Sequence, residues 1–203
     1  NSQGDVSSCG RGEYGQLGQK KKSHEKVPVW IQFPVKIVLV ATGGEFSACL
    51  GDDGRVFVFG NNTYGQLGLG DFQERLEPVE VPNLNGISSL SCGYSHTCCL
   101  DFNGQPFTFG KNSSGQLGNG TRQEAEVPQQ INLPDRVIQI ASGFEHTVFL
   151  SENHSLFVCG SNDFGQLGLE EKQQQHLRVP VRVRDGVRFV ACGGTFTLLV
   201  TQE

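Results

Sequence analysis

The chain has 203 residues, a formal net charge of −5 and 36% hydrophobic residues. That acidic balance opposes direct binding to nucleic acid, because the phosphate backbone attracts basic surfaces. The longest apolar runs are short, as at residues 37–41, so we expect no membrane-spanning segment and no membrane partner. Met is absent throughout, which favours a piece of a larger protein.

One tetrapeptide, Gly-Gln-Leu-Gly, recurs four times at intervals of fifty residues. Self-similarity at a fixed period predicts a repeat architecture. The repeats are residues 1–50, 51–100, 101–150 and 151–200, within one domain of residues 1–203. The glycines of the motif are suited to positive φ in a tight turn. These structural glycines are Gly15, Gly18, Gly65, Gly68, Gly115, Gly118, Gly165 and Gly168.

Each repeat contributes the same four predicted strands in the same order. A first strand covers residues 37–41, and a second strand ends at Leu50. A turn with Asp53-Gly54, a hairpin signal, leads to a third strand at 56–59. A fourth, short strand is predicted at residues 29–31, 79–81, 129–131 and 181–183, beside Pro28, Pro78, Pro128 and Pro180.

The prolines order the strands within each sheet. Proline cannot donate a hydrogen bond to a neighbouring strand, so the fourth strand lies outermost. Four-stranded antiparallel sheets repeated about an axis form an all-β fold, the β-propeller. We predict blades at about residues 35–83, 85–133 and 135–184, with part-blades at 1–33 and 185–203.

Three motifs recur in register along the chain: Ala/Cys-x-Gly-x-x-His-Thr, Phe-x-Phe-Gly and Asn-x-x-Gly-Gln-Leu-Gly. In this combination the whole chain resembles the regulator of chromosome condensation repeat family. Family repeats often end the third strand in Trp-Gly, whereas Cys9, Phe59, Phe109 and Cys159 precede the glycine here. The resemblance implies a propeller of typically seven blades. A partial seven-bladed ring is favoured, and a closed four-blade ring is the alternative.

The cysteines and histidines are interpreted as structural. Seven cysteines without a Cys-x-x-Cys pair argue against disulfides and zinc. Internal alignment places them in small or apolar slots, so we expect all of them in the core, in a reducing intracellular compartment, cytoplasmic rather than nuclear. His96 and His146 share a slot with Phe46 and Phe196, which predicts partly buried imidazoles bonded to backbone.

No catalytic constellation is recognisable. The chain has no nucleophile elbow and no phosphate loop, since no Lys-Ser/Thr follows the tetrapeptide. We therefore expect no enzymatic activity, no metal and no cofactor, which leaves surface recognition as the predicted function.

The loops after each tetrapeptide differ in charge, and such loops on a rigid scaffold often bind partners. Repeat one carries Lys20, Lys21, Lys22 and Lys26, whereas the later repeats are acidic there, with Glu170 and Glu171 in repeat four. Trp30 is predicted to face outward as an interface anchor, or to pack against a neighbouring segment.

Two further sets of residues are candidates for partner binding. Tyr94 and Phe144 replace Gly44 and Gly194 in a turn that tolerates glycine, with Glu45 and Glu145 at the next position of that turn. Arg182 and Arg184 share the outward side of an edge strand, where they could bind an acidic peptide or pair with nearby carboxylates.

The predicted function is therefore a non-catalytic scaffold that binds other proteins through loop-covered propeller faces. The resemblance implies an alternative, guanine nucleotide exchange on a Ran-type small GTPase. Exchange in that family relies on a β-wedge insertion, which the unbroken fifty-residue period lacks, and no exchange residue can be assigned here. Open blade faces would also permit self-association.

Overall fold

The computed structural model describes residues 4–169 and 176–202, so the predicted acidic residues Glu170 and Glu171 lie outside it. Strands and turns account for the described residues, which confirms the all-β prediction. No helix capable of crossing a membrane is found in those ranges. The strands are β1 (Val6–Gly10), β2 (Glu25–Ile31), β3 (Ile37–Thr42), β4 (Phe46–Gly51), β5 (Val56–Gly60), β6 (Arg75–Glu80), β7 (Ile87–Cys92), β8 (His96–Asp101), β9 (Pro106–Gly110), β10 (Ala125–Gln130), β11 (Val137–Ser142), β12 (His146–Ser151), β13 (Leu156–Ser161), β14 (His176–Arg184), β15 (Val187–Cys192) and β16 (Thr197–Thr201).

Three complete blades and two strand pairs make up the described part of the chain. The sheets β3–β6, β7–β10 and β11–β14 are each four-stranded and antiparallel, with strands adjacent in chain order. The fourth strand, which carries Pro78, Pro128 or Pro180, lies at the outer edge of every complete blade, as predicted. At the ends, β1–β2 and β15–β16 form two separate sheets. The described residues thus form a partial ring, and the closed four-blade alternative does not hold.

The outer strands begin several residues earlier than the alternation of residues predicts. Gly60 pairs with Arg75, and Val58 pairs with Val79, so the ladder is interrupted between these two pairs. Pro78 lies in that irregular stretch, where its missing N–H costs no ladder hydrogen bond. The bulge disturbs the period of two, which explains why the sequence pattern locates only the last residues of these strands.

The core lies between adjacent blades and around the axis. The innermost strands β3, β7, β11 and β15 contact one another in series. Second strands such as β12 are buried along their whole length, because blades cover both of their sides. Phe149 and Leu150 of β12 are fully buried there.

The repeated tetrapeptide joins each blade to the next. The Thr97 hydroxyl donates to the Gln66 carbonyl oxygen at 2.8 Å, and the Thr147 hydroxyl donates to Gln116 at 2.7 Å. Leu67 of the same turn is fully buried. All eight motif glycines have positive φ, between 66° and 81°. The most widely repeated motif is therefore a structural joint between blades.

The prediction that all cysteines lie in the core is wrong for Cys9. Cys9 on β1 is exposed, whereas Cys159 in the same slot of a complete blade is buried. The difference arises because β1 has no second strand beside it within the described residues. Cys49, Cys98 and Cys99 are buried, Cys92 and Cys192 are half-buried, and all seven cysteines are unpaired.

Candidate interaction face

Antiparallel blades place their loops on two opposite faces of the arc. The motif face carries residues 43–45, 61–74 and their counterparts in the other repeats, including the tetrapeptide turns. The hairpin face carries residues 52–55, 81–86 and their counterparts. Backbone hydrogen bonds join the loops on each face, for example from Asn61 N–H to the Glu45 carbonyl at 2.9 Å on the motif face.

Tyr94 and Phe144 lie together on the motif face, near the propeller axis. Their rings meet edge to face, with centroids 5.5 Å apart and an interplanar angle of 74°. The exposed fractions are 48% for Tyr94 and 53% for Phe144. The two rings thus form one partly exposed aromatic surface, a contact that their separation by fifty residues did not reveal.

The backbone beneath these rings is fixed by hydrogen bonds between consecutive blades. Gly44 N–H donates to the Tyr94 carbonyl at 3.0 Å, Tyr94 N–H donates to Phe144 at 3.2 Å, and Phe144 N–H donates to Gly194 at 2.8 Å. We call residues 42–44, 92–94, 142–144 and 192–194 the axial rim. It lines a cavity of about 300 Å³.

Two glycines of the rim lie directly against the aromatic rings of neighbouring blades. A Cβ on Gly44 would lie 2.8 Å from the Tyr94 ring, and a Cβ on Gly194 would lie 2.8 Å from the Phe144 ring. Glycine and aromatic residues therefore fit each other across the blade interfaces. The main-chain hydrogen bonds are the same whether the slot holds glycine or an aromatic residue.

Glu145 is held by polar groups of the preceding blade. Its Oε1 lies 2.5 Å from Lys111 Nζ, and its Oε2 accepts a hydrogen bond from the Ser114 hydroxyl at 3.0 Å. Burial alone would raise the pKa of this carboxyl, but the two partners outweigh it, so the pKa is lowered. Glu45 accepts a hydrogen bond from the Asn61 amide at 3.0 Å. Hydrogen bonds therefore fix the positions of both carboxylates, which directly follow the rim residues Phe144 and Gly44 in the chain.

The lysine loop of repeat one meets acidic residues. Lys20 Nζ lies 3.2 Å from Glu77, and Lys22 pairs with Glu74, so two lysines bridge to the next blade. Lys21 pairs with Glu25, the first residue of β2 in the same repeat, at 2.6 Å. Lys26 is exposed on β2. Basic residues of the first loop and acidic residues of the next repeat thus form ion pairs between neighbouring blades.

Trp30, Arg182 and Arg184 lie away from the rim, at the hairpin-face ends of outer strands. Trp30 is 66% exposed on β2. Arg182 donates to Asp185 at 2.8 Å, so part of the arginine pair is engaged locally. Arg184 is exposed. These residues belong to the first and last outer strands, whereas Tyr94, Phe144, Glu45 and Glu145 are grouped at the axis.

His96 and His146 are fully buried, and the prediction of backbone bonding is wrong. His96 Nε2 lies 2.9 Å from Thr147 Oγ1, and His146 Nε2 lies 3.0 Å from Thr197 Oγ1, in each case on the next blade. Since the Thr147 hydroxyl donates its proton to Gln116, Nε2 of His96 must be the donor. Burial lowers the pKa of His96 to about 3 and that of His146 to about 4.

Metal binding finds no support in the part of the chain that the structure describes. No group of three His, Cys, Asp or Glu side chains is arranged there to hold an ion. The neutral imidazoles of His96 and His146 are buried away from solvent, and each donates its N–H to a threonine hydroxyl of the next blade. The histidines are thus part of the joints between blades.

Several exposed apolar residues were not identified from the sequence. Phe164 is 77% exposed in the slot of Tyr64, and Leu198 is 63% exposed on β16. The internal alignment predicts that Leu198 is covered, because Val148 in the same slot of β12 is fully buried, so its exposure had no signal in the sequence.

The comparisons with known proteins agree with this geometry. The family model described as RCC1-like domain matches residues 1–199. RCC1 domain-containing protein RUG3, mitochondrial, of Arabidopsis thaliana is 39% identical over 59 residues, 28% of this chain and 13% of that protein. Human WBSCR16 superposes with a TM-score of 0.89 at 26% identity, over 100% of this chain and 55% of its own.

A yeast structure shares the fold. Prp20p of Saccharomyces cerevisiae, described together with its binding properties to Gsp1p and histones, superposes with a TM-score of 0.85 at 24% identity. The match covers 98% of this chain and 52% of Prp20p. The chain therefore spans about half the length of these solved structures, and its 59-residue match covers only 13% of the curated relative.

Proposed function

Because the chain belongs to the RCC1-like domain family, we propose that it is a non-catalytic protein-interaction module that holds a partner protein on its motif face. The observation that carries this proposal is the exposed aromatic pair of Tyr94 and Phe144 on the axial rim. Large aromatic side chains are enriched among the residues that dominate binding energy. A polar surround on the same face, with Lys111 and Glu45, suits the rim of such an interface.

The fold itself does not require these two rings. Gly44 and Gly194 occupy the same slot, and the hydrogen bonds between blades run through the main chain in every case. Tyr94 and Phe144 therefore expose apolar surface that contributes little to the core. Recognition of a partner gives this surface a role.

The rim is also preorganised for binding. Its backbone is tied to the neighbouring blades, and the edge-to-face contact restricts both side chains. A rigid site loses little conformational entropy when a partner binds, so more of the contact energy appears as affinity.

The test compares aromatic residues on the two faces. Tyr94→Ala/Phe144→Ala and the control Phe102→Ala would be used as bait in lysate, with bound proteins identified by mass spectrometry. Phe102 is 64% exposed on the hairpin face, so its removal leaves the motif face unchanged. We expect the rim variant to lose partners that the wild type and the control retain. Equal capture by all three proteins would refute the proposal.

Guanine nucleotide exchange on a Ran-type small GTPase is the second candidate. It is supported by the shared fold with Prp20p, whose binding to Gsp1p is described. Capture would be repeated with EDTA, which strips magnesium and nucleotide from small GTPases, and exchange measured as release of fluorescent GDP. A GTPase captured only with EDTA, together with faster release, would favour exchange over scaffolding.

We also propose a reducing intracellular location, the cytoplasm. Support comes from seven unpaired cysteines, one of which, Cys9, is exposed. An exposed thiol persists most readily where thiols are kept reduced. Imaging of a fluorescent fusion in cells would test this, and a secreted or nuclear distribution would contradict it.

A further inference from the structure

Loops on the motif face join each blade to the outer strand of the next blade at equivalent positions in successive repeats. Lys20 N–H donates to the Leu76 carbonyl at 2.8 Å, and Gly70 N–H donates to the Glu126 carbonyl at 2.8 Å. Lys20 and Gly70 also share a positive φ, of 62° and 80°. The two loops therefore follow the same backbone path, so side chains fifty positions apart can be compared directly.

Ion pairs connect the loop of repeat one to the outer strand β6, at what we call the first junction. Lys20 Nζ lies 3.2 Å from Glu77, and Lys22 pairs with Glu74. Glu74 directly precedes β6, and Glu77 lies within it. At the first junction a lysine-bearing segment of the chain is thus held by carboxylates beside an outer strand.

The second junction, between the complete blades β3–β6 and β7–β10, keeps a carboxylate but lacks its lysine. Phe72 occupies the slot of Lys22, and Glu124 occupies the slot of Glu74. Glu124 is exposed and forms no ion pair with any residue that the structure describes. The same holds for Glu126, which is half-exposed. Two carboxylates at this junction thus have no cation beside them in the described part of the chain.

Apolar side chains are exposed at the same junction. Phe72 is 51% exposed, and Val127 is 42% exposed. The slot of Phe72 holds Lys22 and Arg122 in the neighbouring repeats, so the fold does not require an aromatic residue there. A Cβ on Gly70 would lie 3.8 Å from Val127 Cγ1, which places Val127 beside the loop of Phe72. Both blades at this junction are complete, so the exposure does not follow from a missing neighbour.

We propose that the second junction binds a basic segment of a partner protein, which brings a Lys or Arg to Glu124 and an apolar side chain to Phe72. The first junction is the precedent for the charged contact, because Lys22 makes it there with Glu74. Charge complementarity selects a basic segment, since an acidic one would meet Glu124 and Glu126 with like charge. Apolar contact with Phe72 supplies a part of the affinity that salt does not screen.

The second junction is separate from the axial rim. Phe72 lies in the loop that leads to the outermost strand β6, whereas Tyr94 and Phe144 line the cavity at the axis. Binding at the second junction therefore does not require the aromatic pair of the rim. The two proposals can fail independently of each other.

Selection from short random peptides displayed on phage tests the proposal, with the full wild-type chain immobilised as the target. The matched variant is Phe72→Lys, which places a lysine where the first junction has Lys22, so that it should pair with Glu124 within the chain. Peptides that bind the wild type but not this variant would be synthesised, and their affinities measured by fluorescence anisotropy. We expect Lys or Arg beside an apolar residue in these peptides, and binding to Phe72→Lys weaker by about tenfold or more.

Further variants separate the charged contact from the apolar one. Glu124→Lys should weaken the same peptides, because it places a like charge against their basic residues, and added salt should weaken their binding to the wild type. Phe102→Ala on the hairpin face and Tyr94→Ala/Phe144→Ala on the rim should leave the affinity unchanged. Phe72 and Glu124 are exposed, so the melting temperatures of their variants should match that of the wild type.

The outcomes separate this proposal from binding at the rim. Enrichment of no peptide over the bare support, enriched peptides without basic residues, or equal binding to the wild type and Phe72→Lys would each overturn it. Peptides lost only from Tyr94→Ala/Phe144→Ala would overturn it as well, and would favour the rim as the binding surface. Basic peptides lost from Phe72→Lys and retained by the rim variant would support it, whichever result the rim gives with its own partner.

Discussion

The complete blades and the terminal strand pairs are built from the same repeat, yet different residues of that repeat are covered in each. Leu150 of β12 is fully buried, whereas Val200 in the same slot of β16 is 55% exposed. Phe109 is buried, and Cys9 in its slot is exposed. In a repeat protein each unit is stabilised by its neighbours, so burial depends on whether the next unit is present.

The largest expected effect is at the third-strand slot. Phe109→Ala should lower the free energy of unfolding by about 3–5 kcal/mol, because it leaves a cavity between complete blades. Cys9→Ala should change it by less than about 0.5 kcal/mol, as at other exposed sites. Urea denaturation at low protein concentration measures both variants. Similar losses would show that β1 is covered in the monomer.

The first glycine of the tetrapeptide occurs in crowded and in open surroundings, so alanine variants at two copies can separate the cost of backbone strain from the cost of steric crowding. Gly65 and Gly165 have φ of 77° and 79°, so alanine costs about 1 kcal/mol or more of strain at either position. A Cβ at Gly65 would also lie 2.7 Å from Glu126 Cα, whereas nothing lies within 4 Å of one at Gly165. We expect Gly65→Ala to cost about 2 kcal/mol more than Gly165→Ala, by the same denaturation assay.

If the two alanine variants lose equal stability, backbone strain alone sets the cost. The tetrapeptide would then be a turn without a role as a joint between blades.

The buried histidines predict a loss of stability in acid. Their folded-state pKa values, about 3 for His96 and about 4 for His146, lie below the ordinary value of 6.5. The stability that each neutral histidine contributes is therefore fully present above pH 6.5, and it is lost as the pH falls towards the folded-state pKa. Each histidine should lower the free energy of unfolding by about 2 kcal/mol between pH 6.5 and pH 5, because one pH unit corresponds to about 1.4 kcal/mol.

Phenylalanine is the matched replacement, since Phe46 occupies the slot of His96 in the preceding repeat. His96→Phe should flatten the dependence of unfolding free energy on pH by about 2 kcal/mol over this window. His146→Phe should have the same effect. In the wild type, the loss of stability caused by His146 should end near pH 4 and that caused by His96 near pH 3, at their folded-state pKa values. Unchanged pH profiles would mean that other groups govern acid stability.

The sequence predicts the blades well because their signals are local. The fifty-residue period, the hairpin at Asp53-Gly54 and prolines such as Pro78 each specify a feature within one repeat. The start of β6 was not predicted, because the bulge before Pro78 breaks the alternation on which the assignment rests.

Contacts between repeats were harder to predict. The alignment equated Cys9 with Cys159, but it does not tell which slot has a neighbouring strand. It also singled out Tyr94 and Phe144 without showing that their rings touch. The bond from His96 to Thr147 joins two blades across 51 residues, so it follows only once the blades are placed side by side.

The smallest expected effects concern ion pairs between blades. Lys111 and Glu145 have side chains only 25% and 35% exposed, whereas Lys20 and Glu77 are 78% and 55% exposed. Water screens the charges of Lys20 and Glu77, and forming this pair restricts two long side chains that are otherwise mobile. Lys20→Gln should therefore leave the free energy of unfolding unchanged within error. Lys111→Gln should cost about 1 kcal/mol, because Glu145 then loses its only salt bridge among the described residues.

Salt provides the control for this comparison. Added salt should reduce the difference between wild type and Lys111→Gln only slightly, because partly buried pairs are screened less than exposed ones. Equal effects of the two lysine substitutions would show that the contact between β1–β2 and its neighbouring blade is as well packed as a contact between two complete blades. The distinction between complete and terminal units would then hold for apolar residues alone.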